Sequence, residues 1–197
     1  MTALLQLDEQ LFYLINSEWT NSVLDWVMPY WRSKYLWIPF YVFILSVIAL
    51  NFRSNKWLFL IMLGLTIVSS DTISSKVIKP TIQRVRPCNQ VDMQKTVVLR
   101  VHCGGGYSFT SSHATNHFAL AVFLIFAIGR HFRRIAIPLL LWAASIAYGQ
   151  VYVGVHFPLD ILGGALLGTM IGGFIGILYR LLPPMEKVER EDTRPAY

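Results

Sequence analysis

Val151-Tyr152-Val153-Gly154-Val155-His156-Phe157-Pro158-Leu159-Asp160 runs straight into an apolar stretch that ends at Pro183-Pro184. Proline suits the first turn of a helix, where its missing N–H is not needed. Pro158 therefore puts His156 at a helix entrance and Asp160 in the first turn. Residues four apart lie about one turn apart on one helix face. Two readings of this pair stand side by side. Asp160 can simply complement the positive end of the helix dipole, or it can fix the His156 imidazole in one tautomer and make it a better base or nucleophile. The helix that follows is apolar enough to span a bilayer. Within it Gly164, Gly168, Gly172 and Gly176 recur every fourth residue, a small-residue stripe for close helix contact.

The rest of the chain has the same apolar character. Of its 197 residues 54% are hydrophobic and 14% charged, where soluble domains carry about a quarter charged. Mean hydropathy is +0.48. These values describe an all-α integral membrane protein whose first partner is the lipid bilayer. The net charge of +6 does not point to nucleic acid. Its basic residues sit in short loops between apolar spans and in one polar insert, with no extended basic face. Asp8 and Glu9 interrupt the first apolar stretch, so a cleavable signal peptide is not expected.

Three segments follow. Residues 1–34 form an interfacial amphipathic segment: Leu4, Leu7, Leu11, Leu14 and Ile15 fall at helical spacing, with Asp8, Glu9 and Gln10 on the other side, and Trp19, Trp26 and Trp31 suit a headgroup region. Residues 35–182 form a transmembrane core of about five helices, six counting the interfacial segment. The spans are 35–52, a second from Trp57 that turns polar after Val68, 112–129, 135–152 and 158–182. The polar run Ser69, Ser70, Asp71, Ser74, Ser75 marks a helix entering a polar cavity rather than lipid. A long insert occupies 80–112, and loops of that length in compact domains are usually functional. Residues 183–197 form a charged tail. Arg53, Lys56, Arg130, Arg133, Arg134, Arg180, Lys187, Arg190 and Arg194 all fall on one side, which the positive-inside rule makes cytoplasmic. The insert and the His156 turn fall on the opposite, extracytoplasmic side. The insert is basic as well, so its charges are read as ligand-binding.

Two more polar clusters end up on the face that carries His156. In Lys79-Pro80-Thr81-Ile82-Gln83-Arg84-Val85-Arg86-Pro87 a lysine and an arginine seven residues apart, stiffened by prolines, can approach one anion from two directions. The alternative is a basic patch for acidic headgroups. In Ser111-Ser112-His113 hydroxyls and free backbone N–H groups open a helix, as in many anion sites, and His113 is placed to protonate a leaving oxygen. The alternative is an ordinary serine cap. Together the clusters surround one pocket with two cations, hydroxyls, a helix N-terminus and two histidines.

With these residues in view, the chain resembles the type 2 phosphatidic acid phosphatase family, a branch of the group that includes the vanadium-dependent haloperoxidases. The family's first motif, lysine, six residues, Arg-Pro, is matched by Lys79, Arg86 and Pro87. Its second, Pro-Ser-Gly-His, stands here as Thr110-Ser111-Ser112-His113. Its third, Ser-Arg, five residues, histidine, three residues, aspartate, keeps His156 and Asp160 but has Gly149-Gln150 in place of Ser-Arg. The resemblance covers about residues 35–180. It implies a metal-independent membrane phosphatase with no cofactor, acting on a lipid phosphate or diphosphate such as undecaprenyl diphosphate, phosphatidic acid, phosphatidylglycerol phosphate or a lipid A phosphate. It implies that His156 attacks phosphorus, that Asp160 orients it, and that His113 protonates the leaving group and then activates water. Lys79, Arg86, Ser111 and Ser112 would hold the phosphate oxygens. Gln150 would contribute an N–H donor without the charge, which predicts weaker phosphate binding and a gain on replacing Gln150 by arginine. The implied location is a multi-pass protein of the bacterial inner membrane.

Two other functions compete. His113, His117, His156 and Asp160 could hold a metal ion, although Lys79 and Arg86 would repel one. A chain that lost its chemistry with the arginine at position 150 could be a lipid binder or carrier. Cys88 and Cys103 bracket the loop between two anion-binding clusters. On an extracytoplasmic face they can form a disulfide, worth roughly 3 kcal/mol for a loop of about 15 residues. Two unpaired thiols are the alternative.

Overall fold

The computed structural model describes residues 3–186 apart from 94 and 133. The expected charged tail at 187–197, with Lys187, Arg190 and Arg194, lies outside the described residues, as does Arg133. Seven helices and no strand occur among the described residues: α1 (Ala3–Tyr13), α2 (Ser22–Trp31), α3 (Ile38–Asn51), α4 (Lys56–Ile82), α5 (Ser112–Ile128), α6 (Ala136–Tyr152) and α7 (Pro158–Arg180). Two of them, α4 with 27 residues and α7 with 23, are long and apolar enough to cross a membrane. Three more, α3, α5 and α6, are shorter and apolar.

The bundle is built around α5, whose buried side chains include Phe123, Leu124 and Ile128. It packs most extensively against α7, and the glycine stripe is the reason. A Cβ at Gly168 would collide with the Thr115 carbonyl, and one at Gly172 with the Ala119 carbonyl, both on α5. Without side chains there, the two backbones approach directly. Phe59, Phe123, Trp142, Ile146 and Tyr179 fill the remaining core between α4, α5, α6 and α7.

Two expectations change. The second span is longer than expected and delays the insert placed at residue 80. The helix runs on to Ile82, through a π-helical turn over Ile73–Ile78, and the insert begins at Gln83, whose left-handed backbone (φ 53°) closes the helix. The widened turn lies just before Pro80, whose ring in a regular helix would meet the Lys76 carbonyl. Its consequence is functional, because Ser74 and Ser75 both come within 3.0 Å of the Ser112 hydroxyl.

The N-terminal helix also sits the other way round. Leu4 and Leu7 are 59% and 51% exposed, while Asp8 is 2% exposed. Leu4, Leu5, Leu7 and Leu11 of α1 face outward, whereas Asp8 and Phe12 face in. Helical periodicity separates an apolar from a polar face, but in a membrane the outward face can be the apolar one. Asp8 has a buried cation to meet: its Oδ2 lies 2.5 Å from Arg84 Nη2, and its Oδ1 accepts the Leu159 backbone N–H at 2.8 Å.

Candidate active site

His156 sits in the turn between α6 and α7, and the turn depends on Gly154. Its φ of 89° is a left-handed conformation, and a Cβ there would lie 3.0 Å from Val97 Cγ1 and from the Val98 carbonyl. Asp160 lies one helical turn on, buried and fully engaged. Its Oδ2 accepts the Phe157 backbone N–H at 2.8 Å and the Ser108 hydroxyl, and its Oδ1 accepts Arg84 Nη1 at 2.8 Å. The same Oδ2 lies 3.4 Å from His156 Nδ1, and Ser108 Oγ lies 3.3 Å from that nitrogen. A carboxylate accepts only, so the proton belongs on Nδ1 and the Nε2 lone pair is left open. Arg86 Nη1 approaches that Nε2 at 3.4 Å. Burial pushes the His156 imidazole down to about 4, against the pull of Asp160 in the other direction, so the ring is neutral at ordinary pH.

In front of Nε2 lies a cavity of about 400 Å³, lined by His156, His113, Lys79, Arg86, Ser112 and Arg32, among others. The structure thus brings together five of the residues singled out in the sequence. Their charges are not spent within the protein. Lys79 Nζ donates to the Tyr107 carbonyl at 2.9 Å, and Arg86 donates to the Gly106 and Val155 carbonyls at 3.3 and 3.4 Å. Among the described residues, none of Lys79, Arg86 and Arg32 has a carboxylate within ion-pair distance. Arg84 and Arg100, by contrast, are paired with Asp8, Asp160 and Asp25. Cations that share a cavity without a counter-charge make an anion site. Burial, and then the charge of Arg86, push Arg32 down to about 10. Burial also lowers Arg86.

Two expected phosphate ligands lie elsewhere. Ser111 is fully buried, and its hydroxyl caps α5 by accepting from the Ala114 N–H. It is the serine cap that the sequence left as an alternative. Gln150 is 0% exposed and lies behind the cavity wall, where its Oε1 accepts Arg32 Nε at 3.0 Å. Nothing in the local sequence marks Arg32, which follows α2 and lies 118 residues from Gln150 in the chain. Arg84 and Ser108 were also missed as holders of Asp160. Arg84 lay inside a quoted motif, but nothing local in the sequence marks it as the partner of Asp8.

The loop 83–111 is pinned at several points. Cys88 and Cys103 form a disulfide. Arg100 reaches Asp25 at 2.5 Å and the carbonyls of Asn16 and Tyr152 at 2.9 Å. Hydrogen bonds to Arg100 and, first, to the Tyr152 hydroxyl hold the Asp25 carboxyl below its usual range. His117, weighed as a metal ligand, donates through Nδ1 to the His113 carbonyl at 2.7 Å, and its Nε2 lies 3.3 Å from the Tyr41 hydroxyl. It forms the wall of two further cavities. One, of about 360 Å³, shares Arg32, Ser112 and His113 with the cation cavity and is also lined by Asp71 and Asn116. The other, of about 320 Å³, is lined mainly by apolar residues, including Phe40, Ile44, Leu63 and Leu120, and shares Lys34, Asn116 and His117 with its neighbour.

Comparison with known proteins agrees with this geometry. The chain is 34% identical over 176 residues to a lipid A 4'-phosphatase of Bacteroides thetaiotaomicron, covering 88% of this chain and 75% of that one. It is 30% identical to an undecaprenyl-diphosphatase of Sulfolobus acidocaldarius, over 92% of this chain and 82% of that one. The crystal structure of Aquifex aeolicus LpxE superposes with a TM-score of 0.66 at 29% identity, covering 89% of this chain and 96% of that chain. That of a transmembrane PAP2-type phosphatidylglycerolphosphate phosphatase from Bacillus subtilis shares the fold, with a TM-score of 0.70 at 24% identity, over 92% of this chain and 89% of that chain. The family model of the PAP2 superfamily matches residues 55–182, which contain both histidines, Asp160, Lys79 and Arg86, and the chain belongs to that superfamily.

Proposed function

We propose that this protein is a membrane lipid phosphatase that transfers the phosphoryl group of a lipid phosphate or diphosphate to His156 and then to water. The observation that carries the reading is the cavity itself: three cations without carboxylate partners face the open Nε2 of a histidine whose Nδ1 is held by Asp160. Nε2 attacks phosphorus in line with the leaving oxygen. The P–O bond breaks as the P–N bond forms, and His113 gives a proton to the departing alcohol or phosphate. His113 then takes a proton from water, whose oxygen attacks the phosphohistidine. Inorganic phosphate leaves, and His156 is regenerated. Lys79, Arg86 and the Ser112 hydroxyl stabilise the equatorial oxygens, where charge gathers in the transition state. The cations that favour an anion here disfavour a metal ion held by the same histidines.

The linked cavities support a lipid substrate of a particular shape. Phosphate sits in the cation cavity, a polar headgroup fills the chamber beside Asp71 and Asn116, and a hydrocarbon chain follows the apolar groove between α3, α4 and α5. A sugar fits the polar chamber, so a phosphorylated glycolipid of the lipid A type ranks ahead of undecaprenyl diphosphate, phosphatidic acid and phosphatidylglycerol phosphate. The lipid A 4'-phosphatase of B. thetaiotaomicron, to which the chain is similar, lends the same ranking support. The protein is read as crossing the cell membrane five times, through α3 to α7, with the site on the extracytoplasmic side of a bacterial inner membrane. A disulfide beside the site suits that compartment.

The test is phosphate release by the purified full chain in detergent, from all four lipids, with and without EDTA. Lipid A phosphate should be the best substrate, EDTA should not stop the reaction, and His156→Ala and His113→Ala should each lower turnover by several orders of magnitude. Release from none of the lipids, or near-normal turnover by His156→Ala, overturns the reading.

A further inference from the structure

The third family motif departs from its pattern at two neighbouring positions, Gly149 and Gln150, and both face the same residue. Gln150 Oε1 accepts Arg32 Nε at 3.0 Å. A Cβ at Gly149 would lie 3.4 Å from Arg32 Cβ and 3.7 Å from Met28 Sδ, so Gly149 packs directly against the end of α2. We propose that Arg32, delivered by the interfacial helix α2, is the third phosphate-binding cation of this site, and that Gln150 is the positioning residue that aims it. The proposal rests on the phosphatase reading for its substrate, and on geometry alone for its anion.

Several observations lead there. Arg32 lines both the cation cavity and the chamber next to it. Its partner is a neutral amide, which orients a guanidinium without cancelling its charge. The grip is taken at Nε, and no protein acceptor holds the two Nη groups among the described residues, which leaves the forked end for two oxygens of one phosphate. The Gln150 Nε2 group finds no partner inside the protein among the described residues. A glutamine buried for general packing would be expected to use both ends, whereas this one is committed at the end that holds Arg32. The charge expected at position 150 is therefore present in the site but carried by another helix. The inferred consequence of the Gly149-Gln150 replacement changes accordingly. It does not leave the site one cation short, and it makes α2 part of the active site.

Variants at both ends of the Arg32–Gln150 contact test the idea. Vanadate serves as the probe, read both as inhibition of phosphate release and as a vanadate-dependent rise in the melting temperature of the purified full chain. The thermal readout needs no turnover, so failure of the phosphatase reading would not hide the result. Arg32→Gln should weaken vanadate at least tenfold, and Arg32→Lys should recover part of the loss. Gln150→Glu keeps an acceptor for Arg32 Nε and adds a charge that neutralises it, so vanadate should again weaken about tenfold while unliganded stability holds or rises. If Arg32 only braced α2, Gln150→Glu would leave vanadate binding unchanged. Gln150→Arg alone should weaken vanadate by placing two guanidinium groups against each other, and the exchange Arg32→Gln with Gln150→Arg should bring affinity back to within a few-fold of the native protein. Unchanged vanadate affinity in Arg32→Gln, or tighter binding in Gln150→Arg, overturns the proposal.

Discussion

Replacing Asp8 by alanine should destabilise the protein far more than any change at the exposed positions of α1. The side chain is fully buried, and its carboxylate meets Arg84 at 2.5 Å and the Leu159 N–H at 2.8 Å. Removing one partner of a buried ion pair typically costs about 3–5 kcal/mol, because the other charge is left uncompensated. Arg84 is 18% exposed at its side chain and keeps Asp160, which puts the expected cost near the lower end, about 3 kcal/mol. The freed Leu159 N–H adds about 1 kcal/mol or more if water does not reach it. A loss of about 3–4 kcal/mol lowers the melting temperature of a chain this long by roughly 6–16 °C. Activity should fall as well, since Arg84 is shared between Asp8 and the carboxylate that orients His156. The assay is thermal unfolding in detergent beside turnover at a temperature where the variant is folded. Exposed Gln10→Ala on the same helix is the control. A melting temperature for Asp8→Ala within 2 °C of that control, about the shift from 1 kcal/mol, would refute the reading of α1 as an inward-facing clamp.

Three further outcomes are expected. Because burial holds the His156 imidazole at about 4, below the 6.5 of an unfolded histidine, the unfolded chain takes up this proton first as pH falls. The stability associated with the neutral ring is full above pH 6.5 and is lost from there towards pH 4, so melting temperature should decline over that window less steeply in His156→Gln than in the native protein. Gly168→Leu should abolish folded protein in detergent, as its Cβ would enter the Thr115 carbonyl of α5, whereas Gly173→Ala, whose Cβ would meet only Val122 Cγ1 at 3.8 Å, should melt within about 2 °C of the native protein, as judged by size-exclusion profile and melting curve. Mass spectrometry of protein alkylated without reductant should find Cys88 and Cys103 unmodified, and Cys88→Ser should cost roughly 3 kcal/mol of stability for a loop of this length.

How much of this was legible in the chain differs from feature to feature. The apolar runs, the glycine stripe of α7 and the pairing of His156 with Asp160 follow from spacing along single segments, and the grouping of Lys79 and Arg86 with His113 follows from the order of the helices. Local rules reach that far because a helix fixes where residues three and four apart must lie, and a hydrophobic run of given length has few places to go. The two cysteines could be suspected of pairing for a similar reason, since they bracket one loop. What the sequence could not decide is which partner meets a polar group across the bundle. Asp8 looked like the wet side of an interfacial helix, because periodicity gives the two faces of a helix without saying which one points inward. Ser111 and Ser112 looked interchangeable, yet only the second reaches the cavity, because the first is taken by the cap of α5. Gln150 looked like a missing charge. Only the packing of α2 against Gly149 shows that Arg32, 118 residues away in the chain, stands in that place. Long-range contacts of this kind carry no local signature: a guanidinium fits wherever its stem can reach and its charge is not already paired, and the fold alone settles both conditions.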